Sequence, residues 1–259
     1  MNCKIVFFDI DGTLTHHEDG SISERTKAAI QALKDKGIIV VAATGRPLSM
    51  CDEIRELGID TFITANGGYA KHLEEVIHKI PLDKSVMEEV VQFASEQKHG
   101  LSFYTEGFHM NEVEEPRITQ ALKETLGVLG LEDFAVMDHT KEQEVYLMCL
   151  FAAEDMIEPY MERFPHLTFR RWHPYILNVL QEDVSKSVAI MKLLNYFGID
   201  KSEAVAFGDG ENDIDMLELV GYGVAMGNAS DRLKSVADFV TKKSSDNGIE
   251  YALKKLQII

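Results

Sequence analysis

Two aspartates stand one residue apart at the end of a short apolar run, in "KIVFFDIDGT" (residues 4–13), where burying an uncompensated pair of charges would cost energy. Alternate residues of an extended chain project to the same side, so Asp9 and Asp11 can converge on one point while Gly12 lets the chain turn sharply away. Adjacent carboxylates repel, and a divalent cation cancels the repulsion. With no His or Cys ligand set nearby, a hard, oxygen-preferring ion such as Mg²⁺ suits the pair better than zinc. A turn with two solvated acids is the alternative for this spacing taken alone. Three further apolar runs end in the same manner: in Thr44 and Gly45 ("ATGRP"), in Asn66 with Gly67 and Gly68 ("TANGG"), and in Asp209 with Asn212 and Asp213 ("AVAFGDGEND"). A hydroxyl and an unobstructed amide suit phosphate oxygens. A structural cap is the competing reading for Asp213, and a surface charge for Lys186.

The segments that must position these residues alternate between strand and helix. Residues 4–8 form a continuous apolar run short enough for a strand buried on both faces, as a parallel sheet requires. Ser23 caps a predicted helix, "ERTKAAIQALKDKG", with Ala28, Ala29, Ala32 and Leu33 at helical spacing and Gly37 at its end. The β-branched run "IIVVAATG" then completes a βαβ unit. A second helix is expected over residues 48–57, followed by a third strand, "TFITAN", and two short ones, "YAKH" and "EVIHKI". In an open α/β sheet a ligand lies beyond the carboxyl ends of the strands, which is where the polar residues above fall.

Near Pro81 the rhythm becomes α+β. The helical "KSVMEEVVQFASEQ" leads into hairpin-like strands "LSFYT" and "FHMNEV", a helix over 116–126, the strand "EVYLMCLFA", a helix near 156–164, and strands "LTFRRW" and "YILNVLQ". From Lys186 the first rhythm resumes with "SVAIMKLLNYFG", "AVAFGD", "NDIDMLELV" and "GVAMG". The fold class is therefore α/β with a mainly parallel sheet, interrupted by an inserted α+β module, with divisions at 1–82, 83–183 and 184–259.

The 259 residues suffice for one or two domains, and 45% hydrophobic with 27% charged residues is a globular composition. No apolar run approaches the roughly 18 residues of a membrane span, and "FFD" puts an acid where a signal sequence would continue, so a cytoplasmic protein without a membrane partner is expected. A formal charge of −17 argues against nucleic acid as a partner. Cys3, Cys51 and Cys149 lie far apart without a CxxC pattern and read as ordinary buried thiols.

Taken in order, "DIDGT", "TGR", Lys186 and "GDGEND" resemble the motifs of the haloacid dehalogenase superfamily of phosphatases. With "ANGG" after the third strand and the insertion that follows, nearly the whole chain resembles the Cof-type sugar-phosphate phosphatases. The resemblance implies a Rossmann-like three-layer core carrying a C2-type cap domain, Mg²⁺ as cofactor and a small phosphorylated metabolite as substrate, in a monomer or homodimer. It makes Asp9 the nucleophile that takes the phosphoryl group and Asp11 the acid and later base. Asp9, Asp209 and the backbone carbonyl of Asp11 would hold the metal, with Asp213 at it or directly behind. Thr44, Gly45, Lys186, Asn212 and the backbone near Ile10 would hold phosphate oxygens, and Arg46 and Asn66 would reach the substrate. Asp183 and Ser187 depart from the pattern, since many relatives carry glycines there.

Phosphoryl transfer to a sugar acceptor would use the same intermediate and is the alternative reaction. A dehalogenase fits less well because Asp11 is present. A signalling receiver fits less well because its phosphorylated Asp follows the third strand, where this chain has Asn66. In the inserted module, "FRRWHP" gathers Arg170, Arg171, Trp172 and His173, which could read a sugar face or second phosphate; packing is the competing account.

Overall fold

The computed structural model describes residues 2–111, 120, 121, 124, 125, 135–137 and 143–259. In chain order the elements are β1 (Ile5–Phe8), α1 (Glu24–Asp35), β2 (Ile39–Ala43), α2 (Asp52–Arg55), β3 (Thr61–Thr64), β4 (Tyr69–His72), β5 (Glu75–Lys79), α3 (Lys84–Gln97), β6 (Gly100–Tyr104), β7 (Phe108–Met110), β8 (Ala135–Val136), β9 (Leu147–Phe151), α4 (Glu158–Arg163), β10 (Leu167–His173), β11 (Ile176–Gln181), α5 (Lys186–Phe197), β12 (Ala204–Gly208), α6 (Ile214–Leu219), β13 (Tyr222–Ala225), α7 (Asp231–Val236), β14 (Phe239–Val240) and α8 (Gly248–Lys255). They form two compact units, one of Met1–Gly45, Cys51–Lys79 and Ser185–Ile259, the other of Arg46–Met50 and Ile80–Val184.

In the first unit eight strands are ordered β14-β13-β12-β1-β2-β3-β4-β5. The strands from β14 to β3 run parallel, and β4 and β5 are added antiparallel at one edge. β1 lies inside the sheet because its run has no polar residue to expose: all four side chains are fully buried. Its register pairs Phe8 with Phe207 of β12 on one side and Ala42 of β2 on the other. Ser23 caps α1 by accepting the Thr26 N–H. The buried stripe of that helix is Thr26, Ala29, Ile30 and Leu33, rotated from the expected one, so that Ala28 is exposed.

The expected helix over 48–57 is not continuous. A 3₁₀ turn, Leu48–Met50, is followed by the single turn of α2. Competing bonds account for the break: Ser49 donates its N–H to Glu106 O (2.9 Å), and Arg46 Nη1 donates to Met50 O (3.0 Å). The Ser49 bond reaches a residue of the second unit, to which residues 46–50 belong.

That second unit holds a six-stranded sheet ordered β10-β11-β9-β6-β7-β8, antiparallel except for β7 with β8. One face supplies Leu101, Phe103, Met148, Leu150, Leu177 and Val179 to a core shared with Val90 and Ala94 of α3 and Tyr160 of α4. Successive side chains of a strand point to opposite faces, so these alternate residues of β6, β9 and β11 share one. Apart from residues 120, 121, 124 and 125, the helix expected over 116–126 lies outside the described residues. Among the described residues no helix is long and apolar enough to cross a membrane.

Candidate active site

Because β1 and β12 are parallel neighbours in register, their carboxyl ends deliver Asp9 and Asp209 side by side. Asp9 continues the ladder one residue past the strand, donating its N–H to Phe207 O (2.9 Å). The chain then folds into one tight turn, with Leu14 N–H on Asp9 O (3.2 Å) and Thr15 N–H on Ile10 O (2.9 Å). Gly12 makes the turn possible twice over: its φ of +79° is left-handed, and a Cβ there would collide with Asp209 Oδ2. Thr13 Oγ1 donates to Asp209 Oδ1 (3.0 Å). Asp11 sits on this turn with an exposed side chain, and Ile10 is buried.

Asp213 is fully buried and fully engaged. Its Oδ2 accepts the N–H groups of Asp209 (3.0 Å) and Gly210 (3.0 Å), and its Oδ1 accepts from Lys186 Nζ (2.5 Å). The carboxylate thus ties down the loop that carries Asp209 instead of capping the helix behind it. Lys186, 1% exposed at the first position of α5, places its ammonium between Asp213 and Asp9, donating also to Asp9 Oδ1 (2.6 Å). The start of α5 is secured by Ser185 Oγ, which accepts the Val188 N–H (3.3 Å), and by Asp215 Oδ2, which accepts the Ser187 N–H (2.8 Å). The hydroxyl of Ser187, one of the two departures from the family pattern, lies 2.9 Å from Ser185 Oγ.

Thr44 is buried, and its carbonyl accepts the Asn66 N–H (3.0 Å). Asn66, left-handed at φ +54°, accepts from Asn212 Nδ2 (2.9 Å), and a Cβ on Gly45 would press against its amide at 3.3 Å. Gly67, at φ +102°, lies so close to the start of α5 that a Cβ would collide with Ser185 O. The "ANGG" turn is therefore also a packing device under Lys186. Arg46 is buried in the other unit on Met50 O.

Asp9, Asp209 and Asp213 each bring a carboxylate oxygen within 4.8 Å of the others. Burial first, then the Asp213 charge, pushes Asp9 well above the usual carboxylate range; Asp209 and Asp11 add to this and Lys186 opposes it. Burial and Asp213 push Asp209 up to about 7. Burial alone would lower the Lys186 pKa, but its two carboxylate partners outweigh it and hold the ammonium charged. Three carboxylates against one ammonium leave a negative excess, and all the donors are oxygens, so the set fits a hard divalent cation.

Three contributors escaped the sequence reading: Thr13, Asp215 and Asn228. Asn228 Nδ2 donates to Gly12 O (2.8 Å) and Asp209 Oδ2 (3.0 Å). The signal that could have found it is a fifth apolar run, β13, ending in "GNAS" much as β3 ends in "ANGG". In the inserted unit, Arg171 Nη1 donates to the carbonyls of Ala152 (2.9 Å), His173 (3.4 Å) and Pro174 (2.8 Å), so this arginine ties the β10–β11 turn. Trp172 is half exposed with Nε1 on Asn178 Oδ1 (2.9 Å).

The family described as haloacid dehalogenase-like hydrolase matches residues 6–253. The Bacillus subtilis (strain 168) protein named "Putative phosphatase YkrA" is 36% identical over 264 residues, spanning 100% of both chains. The crystal structure of a hypothetical protein from Geobacillus kaustophilus HTA426 is similar at a TM-score of 0.91 and 38% identity, covering 99% of this chain and 100% of that one. A structure described as the subclass IIB sugar phosphatase BT4131 is similar at a TM-score of 0.85 and 32% identity, with 99% and 100% covered. The chain belongs to the haloacid dehalogenase-like hydrolases, as an enzyme of the phosphatase type.

Proposed function

We propose that the chain hydrolyses small phosphomonoesters, sugar phosphates foremost, with Mg²⁺ held by Asp9, Asp209 and the Asp11 carbonyl and with the phosphoryl group carried transiently on Asp9. One observation carries this reading: three carboxylates gathered beyond two neighbouring strands, Asp9 and Asp213 buried and Asp209 partly so, with the single ammonium of Lys186 set against their charge. A bound Mg²⁺ supplies the balancing charge, for the carboxylates and for the incoming phosphate alike.

Asp9 is suited to attack. Its Oδ1 is held by Lys186, while Oδ2 has no hydrogen-bond donor among the described residues and is the oxygen that forms the bond to phosphorus. As that bond forms, the phosphorus–oxygen bond to the alcohol breaks, and the Asp11 carboxyl gives its proton to the leaving oxygen. Asp11 then takes a proton from the water that attacks the aspartyl phosphate, freeing inorganic phosphate and restoring Asp9. Asp213, with both oxygens committed, favours a place behind the cation's ligands, orienting Lys186 and the Asp209 loop. Lys186 keeps a third N–H for a phosphate oxygen, alongside the Thr44 hydroxyl, the Gly45 amide, the Asn212 amide and the backbone near Ile10. Asn66 is assigned to the substrate beyond the phosphate. Support for a sugar phosphate is the sugar phosphatase BT4131, similar over almost the whole chain.

The test is phosphate release from a panel of phosphorylated sugars, nucleotides and cofactor fragments. Turnover should require Mg²⁺, stop with chelator, proceed without an added acceptor and vanish in Asp9→Asn. Full turnover by Asp9→Asn would rule out the nucleophile assignment, and release only with an added sugar acceptor would turn the reading to phosphoryl transfer.

A further inference from the structure

The loop after β13, residues 226–230, reaches the acidic cluster through one side chain. Asn228 Nδ2 donates to Gly12 O (2.8 Å) and to Asp209 Oδ2 (3.0 Å), and its Oδ1 accepts the Ser244 N–H (3.0 Å). These partners fix the orientation of the amide. A carbonyl and a carboxylate both need a donor, so only the NH₂ end can face them, and the N–H of Ser244 needs the oxygen end. Both N–H groups and the carbonyl oxygen are thus engaged.

The loop itself is anchored on both sides. Met226 N–H donates to Gly208 O (2.9 Å), Gly227 N–H to Lys242 O (2.9 Å) and Ala229 N–H to Met226 O (3.0 Å). Gly227 lies against backbone, where a Cβ would meet Lys243 N at 2.6 Å and Lys242 C at 2.7 Å. A side chain on so firm a base can dictate the position of what it touches. Asp209 is consequently gripped from two sides, by Thr13 Oγ1 on Oδ1 and by Asn228 on Oδ2, while the same Asn228 amide holds the Gly12 turn that carries Asp9 and Asp11.

We propose that Asn228 is a positioning residue for phosphoryl transfer: it fixes the Asp209 carboxylate relative to the Gly12 turn, and so the geometry in which Asp9 and Asp209 share a cation. This rests on the reading that Mg²⁺ is held there. Donors on a ligating carboxylate's outward lone pairs set its orientation and leave the inward ones for the metal, and such partners are commonly worth about 10–100-fold in metal affinity or activity.

The experiment uses the intact chain with Asn228→Ala and Asn228→Ser. Mg²⁺ binding is measured by calorimetry and by the rise in Tm on adding the metal, beside phosphate release from a phosphomonoester that the wild type accepts. Half-saturation by Mg²⁺ should move to about tenfold higher concentration or more in Asn228→Ala. The shift should be smaller in Asn228→Ser, whose hydroxyl can still serve one of the two acceptors, and KM for the phosphomonoester at saturating Mg²⁺ should stay at its wild-type value. A merely structural asparagine would lower the Tm of the metal-free protein and leave the Mg²⁺ titration where it was, which would overturn the proposal. Should Asn228→Ala not fold, Asn228→Ser decides alone by the same criterion. A wild type that binds no Mg²⁺ defeats the underlying reading and this one with it; a wild type that binds, with variants that bind equally well, defeats this one only.

Discussion

Lys186 brings one ammonium to two carboxylates with a third at hand, and that shortage governs how the cluster answers to pH. Asp209 is raised to about 7, by burial and then by Asp213, and Asp9 is raised as well. An unfolded carboxylate titrates near about 4, so for these groups the folded pKa lies above the unfolded one. Their contribution to stability is complete below about 4 and is lost as pH rises through about 7, leaving the metal-free protein most burdened on the alkaline side. Mg²⁺ needs the deprotonated forms and must displace protons on the acid side. The rise in Tm caused by Mg²⁺ should therefore grow as pH goes from about 5.5 to about 8, with its midpoint near 7; a pH-independent increment would contradict the charge arrangement. Of the clustered residues, Asp9, Asp209, Asp213 and Lys186 were legible in the sequence, because each follows an apolar run or opens a helix at a recognisable motif. Thr13, Asp215 and Asn228 were not. A donor or acceptor that serves a side chain far along the chain leaves no spacing of its own, and only the sheet order reveals whom it faces.

At the level of elements, the site depends on how closely the "ANGG" turn approaches the start of α5. Gly67 has φ +102° and no room for a Cβ beside Ser185 O. Gly67→Ala should thus cost the backbone strain, about 1–3 kcal/mol, plus whatever shift of residues 185–186 relieves the collision. Urea denaturation should show the loss, and phosphate release should fall with it because Lys186 moves with the helix start; a variant as stable and as active as the wild type would refute this account. The strands were legible because their runs are short, apolar and bounded by Gly or polar residues. The helix over 48–57 was misread because apolar spacing does not disclose that the Ser49 N–H and the Met50 carbonyl are taken by partners at Glu106 and Arg46. For the same reason the five residues 46–50 could not be assigned to the second unit from sequence, since membership there is decided by long-range bonds.

At the level of the molecule, each unit has its own core, and the second unit's sheet carries Cys149 buried on β9. Burial lifts that thiol from 9.0 to about 11. The neutral form is the one the fold tolerates, so the stability it contributes is complete below pH 9 and disappears as pH rises through 11, about 3 kcal/mol in all. Tyr160, in the same unit, is raised by burial too and acts in the same direction. Denaturation of the wild type at about pH 8 and about pH 10.5 should show a loss that Cys149→Ala reduces; equal losses in both would sink the assignment. The order of strands has a last consequence, for biosynthesis. β1 is made first, yet one of its two neighbours, β12, begins only at Ala204. Until the ribosome has released that stretch, the nascent chain carries a half-finished sheet with an apolar, unpaired flank, open to wrong partners. The carboxylates that gather beside Asp9 come from residues 209 and 213, so the acidic cluster is assembled only after most of the chain has been made.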